Sequence, residues 1–256
     1  MLILLLQMGM CFSGAMLKTL FFDIDDTLFD HYNSMQAAFE RIYHQTPEFQ
    51  TRPLPEMHAL HKKVLEEVHD LYVIPRLMTL HEARKKRFEI LLEQCGTTNG
   101  TLAERLKDDY RTTFLESRIL LEGTEKLLAD LKGKVKIGVI SNNSIEEQTE
   151  KLQTLGIYDF IDVWVMSGEF GFGKPDPRIY QIALERAGCA AHEAMMIGDD
   201  HAKDVEAAQK AGIRAIWLNR FGHPAPSPDV TQITSLADLY ALEELQGLLS
   251  ATEPKR

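Results

Sequence analysis

Apolar segments that end abruptly in polar side chains are the feature that most constrains the fold of this chain. The run from Leu20 to Phe22 leads directly into the carboxylates of Asp23 and Asp25. A short, continuous apolar run is typical of a strand buried on both faces of a parallel sheet. Asp23 and Asp25 are two residues apart, so on an extended backbone their side chains point the same way. A divalent cation or a shared proton would relieve their repulsion.

The same pattern recurs after residue 120, where apolar segments alternate with helical ones. Further strands are predicted at residues 135–140, 161–166, 194–197 and 214–218, with a short sixth strand at 230–233. Strands that alternate with helices predict a parallel sheet with right-handed crossovers. We therefore predict an α/β fold built on a doubly wound, Rossmann-like parallel sheet.

A long helical segment interrupts this alternation. Met35, Ala38, Phe39 and Ile42 have the i, i+3, i+4, i+7 spacing of an amphipathic helix, and similar patterns continue to Ser117. We predict an inserted α-helical domain at residues 34–117, and a core formed by residues 16–33 and 118–256.

The composition excludes several classes of function. The 256 residues carry a net charge of -10, which argues against nucleic acid or an anionic membrane as a partner. The three cysteines are far apart, so no disulfide framework or zinc site is expected and a cytoplasmic location is favoured. Residues 1–15 are apolar but lack the basic residue of a secretory signal. We expect this N-terminal extension to be dispensable.

Two sets of polar residues in the helical segment give little indication of function. The basic run at residues 84–87 spreads over most of a helix circumference, which favours a solvated face, although one arginine could reach a substrate. His58 and His61 share a helical face, but no third metal ligand is evident, so both are predicted to lie at the surface.

The strand ends, in contrast, bring together a set of reactive groups. In a parallel sheet, Asp23, Ser141 and Asp199 lie at one edge, and Lys174 on a glycine-rich loop can reach the same edge. Carboxylates at such an edge bind Mg²⁺, which prefers oxygen ligands. A cation, a lysine and a hydroxyl together neutralise a transferring phosphoryl group. One carboxylate can act as the nucleophile and a second as the acid and base.

These residues resemble the four motifs of the haloacid dehalogenase (HAD) superfamily. The motifs occur in order as Asp23-Ile24-Asp25-Asp26-Thr27, then Ser141, then Lys174, then Gly198-Asp199-Asp200 followed by Asp204. Each falls at the expected strand end or loop. The helical segment lies between the first and second motifs, where this family places a helical cap over the active site.

The resemblance implies a role for each residue. Asp23 is the nucleophile and a metal ligand, and Asp25 is the general acid and base whose backbone carbonyl also binds Mg²⁺. Asp199 is a further metal ligand. The remaining roles concern support and phosphate binding: Ser141, Asn142 and Lys174 at the phosphoryl group or substrate, and Thr27, Asp200 and Asp204 in support.

The resemblance favours a Mg²⁺-dependent phosphatase that acts on a small phosphorylated metabolite through an aspartyl-phosphate, with a 5'-nucleotidase among the candidates. A 2-haloacid dehalogenase has no alcohol to protonate, and dehalogenases of this family lack the second aspartate that is present here as Asp25. A phosphomutase uses the same residues and stays open as an alternative. A non-catalytic binding module would be expected to have lost a reactive group, and none is missing.

Overall fold

The computed structural model describes residues 16–250, so the predictions for residues 1–15 lie outside the described part of the chain. Six strands form one parallel sheet, as predicted. They are β1 (Thr19–Phe22), β2 (Lys136–Ser141), β3 (Val163–Met166), β4 (Ala194–Gly198), β5 (Arg214–Leu218) and β6 (Gln232–Ile233). Their order across the sheet is β3-β2-β1-β4-β5-β6.

The helices fall into two groups. Four long helices follow β1 without an intervening strand, and the others alternate with the strands. The first group is α1 (His31–Gln45), α2 (Leu54–Val68), α3 (Leu80–Gln94) and α4 (Gly100–Glu116). The second is α5 (Thr124–Leu131), α6 (Ile145–Thr154), α7 (Pro177–Ala187), α8 (Ala207–Lys210) and α9 (Glu243–Ser250). Single π-helical turns occur at His69–Val73 and His201–Glu206. The predicted inserted helical cap is thus present, although its first helix begins before residue 34.

Alternation along β1 builds a separate core on each face of the sheet. Leu20 and Phe22 pack with the cap and with α5 and α9, whereas Phe21 packs with α7 and α8 on the opposite face. All three side chains are fully buried. Successive strand residues point to opposite faces, so a continuous apolar run is what a strand covered on both sides requires.

The strand order places β1 at the point where the sheet reverses direction. From β1 the chain builds outward through β2 and β3, and then returns to β4 on the other side of β1. Phe22 lies opposite Val139 of β2 and Ile197 of β4. Ligands of open α/β sheets bind beyond the carboxyl ends of strands at such a reversal. Asp23 is the first residue past this point.

The cap leaves and rejoins the core through neighbouring residues. The Asp30 amide donates to the Ile119 carbonyl at 3.0 Å, and the Leu121 amide donates to the Leu28 carbonyl at 3.0 Å. These two hydrogen bonds join the chain just before α1 to the chain just after α4. The four cap helices are therefore held over the carboxyl end of β1.

The structure corrects one prediction and refines another. His61 is fully buried and stacks on Phe39 with ring centroids 4.5 Å apart, so its predicted surface position is wrong. In the basic run, Arg84 and Arg87 line a cavity between cap and core, whereas Lys85 and Lys86 pair with Glu89. Between residues 16 and 250, no helix is long and apolar enough to cross a membrane.

The close packing of β1 on β2 can be tested at Gly138. A Cβ atom at this position would lie 2.5 Å from Cδ1 of the fully buried Phe21. We expect Gly138→Ala to lower the free energy of unfolding by about 1–3 kcal/mol through overpacking. Gly100→Ala is the control, because a Cβ there meets no atom within 4 Å, and it should leave stability unchanged or raise it by up to about 1 kcal/mol. Urea denaturation measures both, and equal stability of the two variants would contradict this packing.

Candidate active site

Lys174 joins two carboxylates at the reversal point of the sheet. Its ammonium donates to Oδ1 of Asp23 at 2.6 Å and to Oδ1 of Asp204 at 2.6 Å. All three side chains are buried. The second Asp204 oxygen accepts from the Asp200 amide at 3.1 Å, which fixes the carboxylate on the turn after β4. Asp204 thus supports Lys174, the residue that faces the predicted nucleophile.

Asp199 completes a cluster of three carboxylates. Oxygen atoms of Asp23, Asp199 and Asp204 all lie within 4.8 Å of one another. Burial raises the pKa of Asp23 to about 7 against the opposing charge of Lys174, and the charge of Asp204 adds to the effect of burial. Burial, together with the charges of Asp23 and Asp204, raises the pKa of Asp199 well above its usual value. One lysine therefore does not balance the negative charge that full ionisation would place here.

Asp25 lies in a different environment, although it is only two residues from Asp23. The Lys151 ammonium donates to its Oδ1, Gln148 Nε2 donates to its Oδ2 at 2.9 Å, and His31 Nδ1 lies 3.5 Å from Oδ1. Burial acts to raise the pKa of Asp25, but Lys151 and His31 hold that pKa well below its usual value. Asp25 is thus a stabilised carboxylate, whereas Asp23 is destabilised.

Ser141 is the last residue of β2, and Asn142 follows it at the same edge of the sheet. Ser141 Oγ accepts from Gln148 Nε2 at 2.7 Å, so Gln148 links the hydroxyl to Asp25. The Asn142 side chain donates to the Lys174 carbonyl and accepts from the Lys174 amide, both at 2.7 Å. A Cβ at Gly173 would lie 2.3 Å from Asn142 Oδ1, which explains the glycine before Lys174. The side chain of Asn142 therefore positions the lysine loop.

The remaining predicted residues lie around this centre. Thr27 is fully buried, and within the described chain its hydroxyl has no hydrogen-bond partner. The Asp200 side chain accepts from the amides of Ala202 and Lys203, at 3.0 and 2.9 Å, and so caps the following helical turn. Asp200 therefore serves as the N-cap of this turn, beside Asp199 in the lining of a cavity between cap and core.

Two cavities between cap and core flank the centre. One has a volume of about 490 Å³ and is lined by Asp199 and Asp26, and the other, of about 100 Å³, is lined by Lys151 and arginines of the cap. His31 lines both. A concave cleft with convergent polar groups at a sheet reversal is the usual location of a small-molecule site.

Sequence reasoning missed the residues that hold Asp25. Gln148 and Lys151 lie on α6 at i, i+3 spacing and are buried, at 0% and 2% exposed. The sequence did contain an indication of their role. Gln148 and Lys151 lie on the same helix face as Leu152, which packs against the core, so both polar side chains could have been predicted to be buried. His31, the first residue of α1, carried no such signal.

The buried pair of Lys151 and Asp25 has a matched exposed pair in the same chain. We expect Lys151→Met to lower the free energy of unfolding by about 2 kcal/mol, because it leaves a largely buried carboxylate without its cation. Lys126→Met removes an ion pair in which Lys126 lies 2.5 Å from Asp130 and the lysine side chain is 73% exposed. This change should lower the free energy of unfolding by less than about 0.5 kcal/mol. Urea denaturation of both variants checks this, and a similar small loss in both would contradict the role assigned to Lys151.

Comparisons with known proteins identify the family of this chain. The profile of the haloacid dehalogenase-like hydrolases matches residues 17–212. Glyceraldehyde 3-phosphate phosphatase of Methanothermobacter thermautotrophicus is 31% identical, over 90% of this chain and 100% of its own length. Phosphoserine phosphatase of Thermus thermophilus is 29% identical, over 90% of this chain and 100% of its own.

Among solved structures, the magnesium-bound HAD-hydrolase YfnB of Bacillus subtilis is similar to this chain. It has a TM-score of 0.69 and 25% identity, over 88% of this chain and 98% of its own. The matched residues 17–212 include all four motifs and the carboxylate cluster. The chain therefore belongs to the haloacid dehalogenase-like hydrolase family.

Proposed function

We propose that this chain is a Mg²⁺-dependent phosphatase that hydrolyses a small phosphorylated metabolite through an aspartyl-phosphate on Asp23. The observation that carries the proposal is the pairing of Asp23 with Lys174, beside Asp199 and opposite Asp25. A phosphoryl group placed next to Asp23 would meet the Lys174 ammonium and the Ser141 hydroxyl. Both can stabilise its oxygens during transfer. The relatives named as phosphatases support this reaction class.

The two aspartates divide the chemistry between them. A carboxylate oxygen of Asp23 forms a bond to phosphorus while the bond from phosphorus to the alcohol oxygen breaks, and Asp25 gives its proton to that oxygen. In the second step Asp25 takes a proton from water, whose oxygen attacks phosphorus and releases Asp23 and inorganic phosphate. The contact with Lys151 favours the carboxylate form of Asp25 needed for the second step. Donation in the first step requires that this contact opens.

The carboxylate cluster fits a divalent cation. Asp23, Asp199 and the backbone carbonyl of Asp25 would hold Mg²⁺, which would neutralise charge on the phosphoryl group when bound. The fit is supported by three crowded carboxylates, with a raised pKa at Asp199 and, within residues 16–250, Lys174 as the one cation paired with them. Asp204 lies in the same cluster but is committed to Lys174.

Other functions on this scaffold are less well supported. A 2-haloacid dehalogenase has no use for a proton donor at Asp25, whereas here Lys151, Gln148 and His31 all contact that carboxylate. A phosphomutase would use the same residues and differs in transferring the group back to substrate rather than to water. The cytoplasmic location we propose rests on the absence of a disulfide pattern among the three cysteines of the sequence.

The reaction class can be tested by phosphate release from sugar phosphates, nucleoside monophosphates and phosphoglycolate with Mg²⁺. We expect Asp23→Asn to abolish release and Asp25→Asn to lower kcat by about 10²–10⁴-fold, because the proton donor is lost. Circular dichroism controls for folding. Near wild-type turnover in Asp23→Asn would eliminate the covalent mechanism. Chloride release from 2-chloropropionate by the wild type, without phosphate release, would instead indicate a dehalogenase.

Metal binding has a readout that does not depend on turnover. A ligand that binds only the native state raises its stability by RT ln(1 + [L]/Kd), so millimolar MgCl₂ should raise the Tm of the wild type and a chelator should reverse the rise. Asp199→Asn should lose most of this shift. Asp229→Asn, at an exposed position, should keep it. Equal shifts in the two variants would remove Asp199 from the metal site.

A further inference from the structure

Arg84 and Arg111 of the cap, together with Arg118 just after α4, form an arginine cluster against helix α6 of the core. Glu147 accepts from Arg84 at 2.8 Å, from Arg111 at 2.6 Å and from Arg118 at 3.2 Å. Glu150 lies 2.8 Å from Arg118 and 3.7 Å from Arg111. Three guanidinium groups therefore share two carboxylates, so this cluster already carries excess positive charge in a chain of net charge -10.

Arg87 adds a fourth guanidinium that has no acidic partner among residues 16–250. Its Nε is buried and makes no hydrogen bond in this part of the chain. The group lies over the rings of Tyr110 and Phe88, 5.5 and 5.9 Å from their centroids. Such stacking uses the flat faces of a guanidinium and leaves its N–H donors available.

Tyr110 presents a second unsatisfied group beside Arg87. Its side chain is 4% exposed, and within the described residues its hydroxyl has no hydrogen-bond partner. Both side chains line the cavity of about 100 Å³ between cap and core. A buried hydrogen-bond donor without a partner destabilises the folded state. An anionic oxygen in the cavity would satisfy both residues.

The cavity adjoins the proton donor of the proposed reaction. His31 and Lys151 line it, and both contact Asp25. Asp25 protonates the oxygen of the departing alcohol, so the rest of that alcohol extends from the Asp25 side of the centre. The cavity is therefore placed to receive the leaving group rather than the phosphoryl group.

We propose that Arg87 and Tyr110 form a specificity site for a second anionic group, a carboxylate or a second phosphate, on the alcohol part of the substrate. This inference rests on the proposed phosphatase function. We therefore expect phosphorylated acids or bisphosphates to be the preferred substrates. Nucleoside monophosphates and monophosphates of neutral sugars should be poorer substrates. Two parallel N–H donors of a guanidinium match the geometry of such a group.

The test compares substrates that differ only in this group. 3-Phosphoglycerate and glycerol 3-phosphate differ by a carboxylate in place of a hydroxymethyl group, and fructose 1,6-bisphosphate and fructose 6-phosphate differ by a second phosphate. We expect wild-type kcat/KM to favour the anionic member of at least one pair by about 10-fold or more, as for a charge-assisted hydrogen bond. The pair that shows the preference identifies the group as carboxylate or phosphate.

Variants on one helix separate the site from general charge effects. In Arg87→Gln, the ratio of kcat/KM between the anionic substrate and the other member of its pair should fall to within about 3-fold of unity. Lys86→Gln, from the same helix, should keep the wild-type ratio. Tyr110→Phe retains the ring and should also reduce the ratio, which covers the case in which Arg87→Gln does not fold. Equal kcat/KM within both pairs, or a ratio unchanged in both Arg87→Gln and Tyr110→Phe, would overturn the inference.

A binding assay distinguishes failure of the site from failure of the reaction. D-glycerate, but not glycerol, should raise the Tm of the wild type and should raise that of Arg87→Gln less. If no compound releases phosphate, the proposed function fails, and an equal effect of D-glycerate on the wild type and Arg87→Gln would then overturn the anion site as well. If phosphate is released without preference in either pair, only the specificity site is overturned.

Discussion

Three carboxylates held together at the reversal point of a parallel sheet are the constraint on which the rest of this structure depends. Burial favours their protonation, and the single ammonium of Lys174 offsets only part of the repulsion. The arrangement persists because rigid elements position every member. Strand register sets Asp23 beside the end of β4, the Asn142 amide fixes the backbone of Lys174, and the turn after β4 orients Asp204. A site crowded with negative charge is suited to bind a cation, because the cation relieves the repulsion among the carboxylates.

The opposite pKa directions of Asp23 and Asp25 follow from what surrounds each of them. Asp23 shares Lys174 with a second carboxylate, whereas Lys151, Gln148 and His31 all contact Asp25. Two carboxyl groups on neighbouring positions of one strand end can thus take different chemical roles, since environment rather than residue type decides the protonation state. His31 comes from the cap, while Lys151 and Gln148 come from the core, so both parts of the molecule contribute to the state of Asp25.

The sheet and the carboxylate edge could be predicted from sequence because both depend on local pattern. Apolar runs that end in Asp23, Ser141 and Asp199 specify buried strands and the edge where their ends meet, whatever lies between them. The partners of Asp25 could not be predicted in this way. In the sequence Lys151 is an ordinary helix residue, and its role depends on how the helix packs against the loop after β1. The sequence likewise predicts a surface position for His61, which in the structure is enclosed by aromatic rings of three helices. Arg87 and Lys86 are adjacent basic residues on α3, and the orientation of that helix places Arg87 in the cavity and Lys86 beside Glu89. These are consequences of tertiary packing, which periodicity alone does not encode.

Two hydrogen bonds, between Asp30 and Ile119 and between Leu28 and Leu121, close the inserted segment at its base. The geometry of the core is therefore independent of the length of that segment. A chain that departs and returns through adjacent residues imposes no strain on the strands beneath it, however many residues it contains, because loop closure has already been achieved at its base. The intervening helices can therefore be lengthened, shortened or replaced while Asp23 and Asp25 keep their positions. The sheet can thus stay the same while the cap changes. Diversity of substrates among related chains then requires different cap helices but no different sheet.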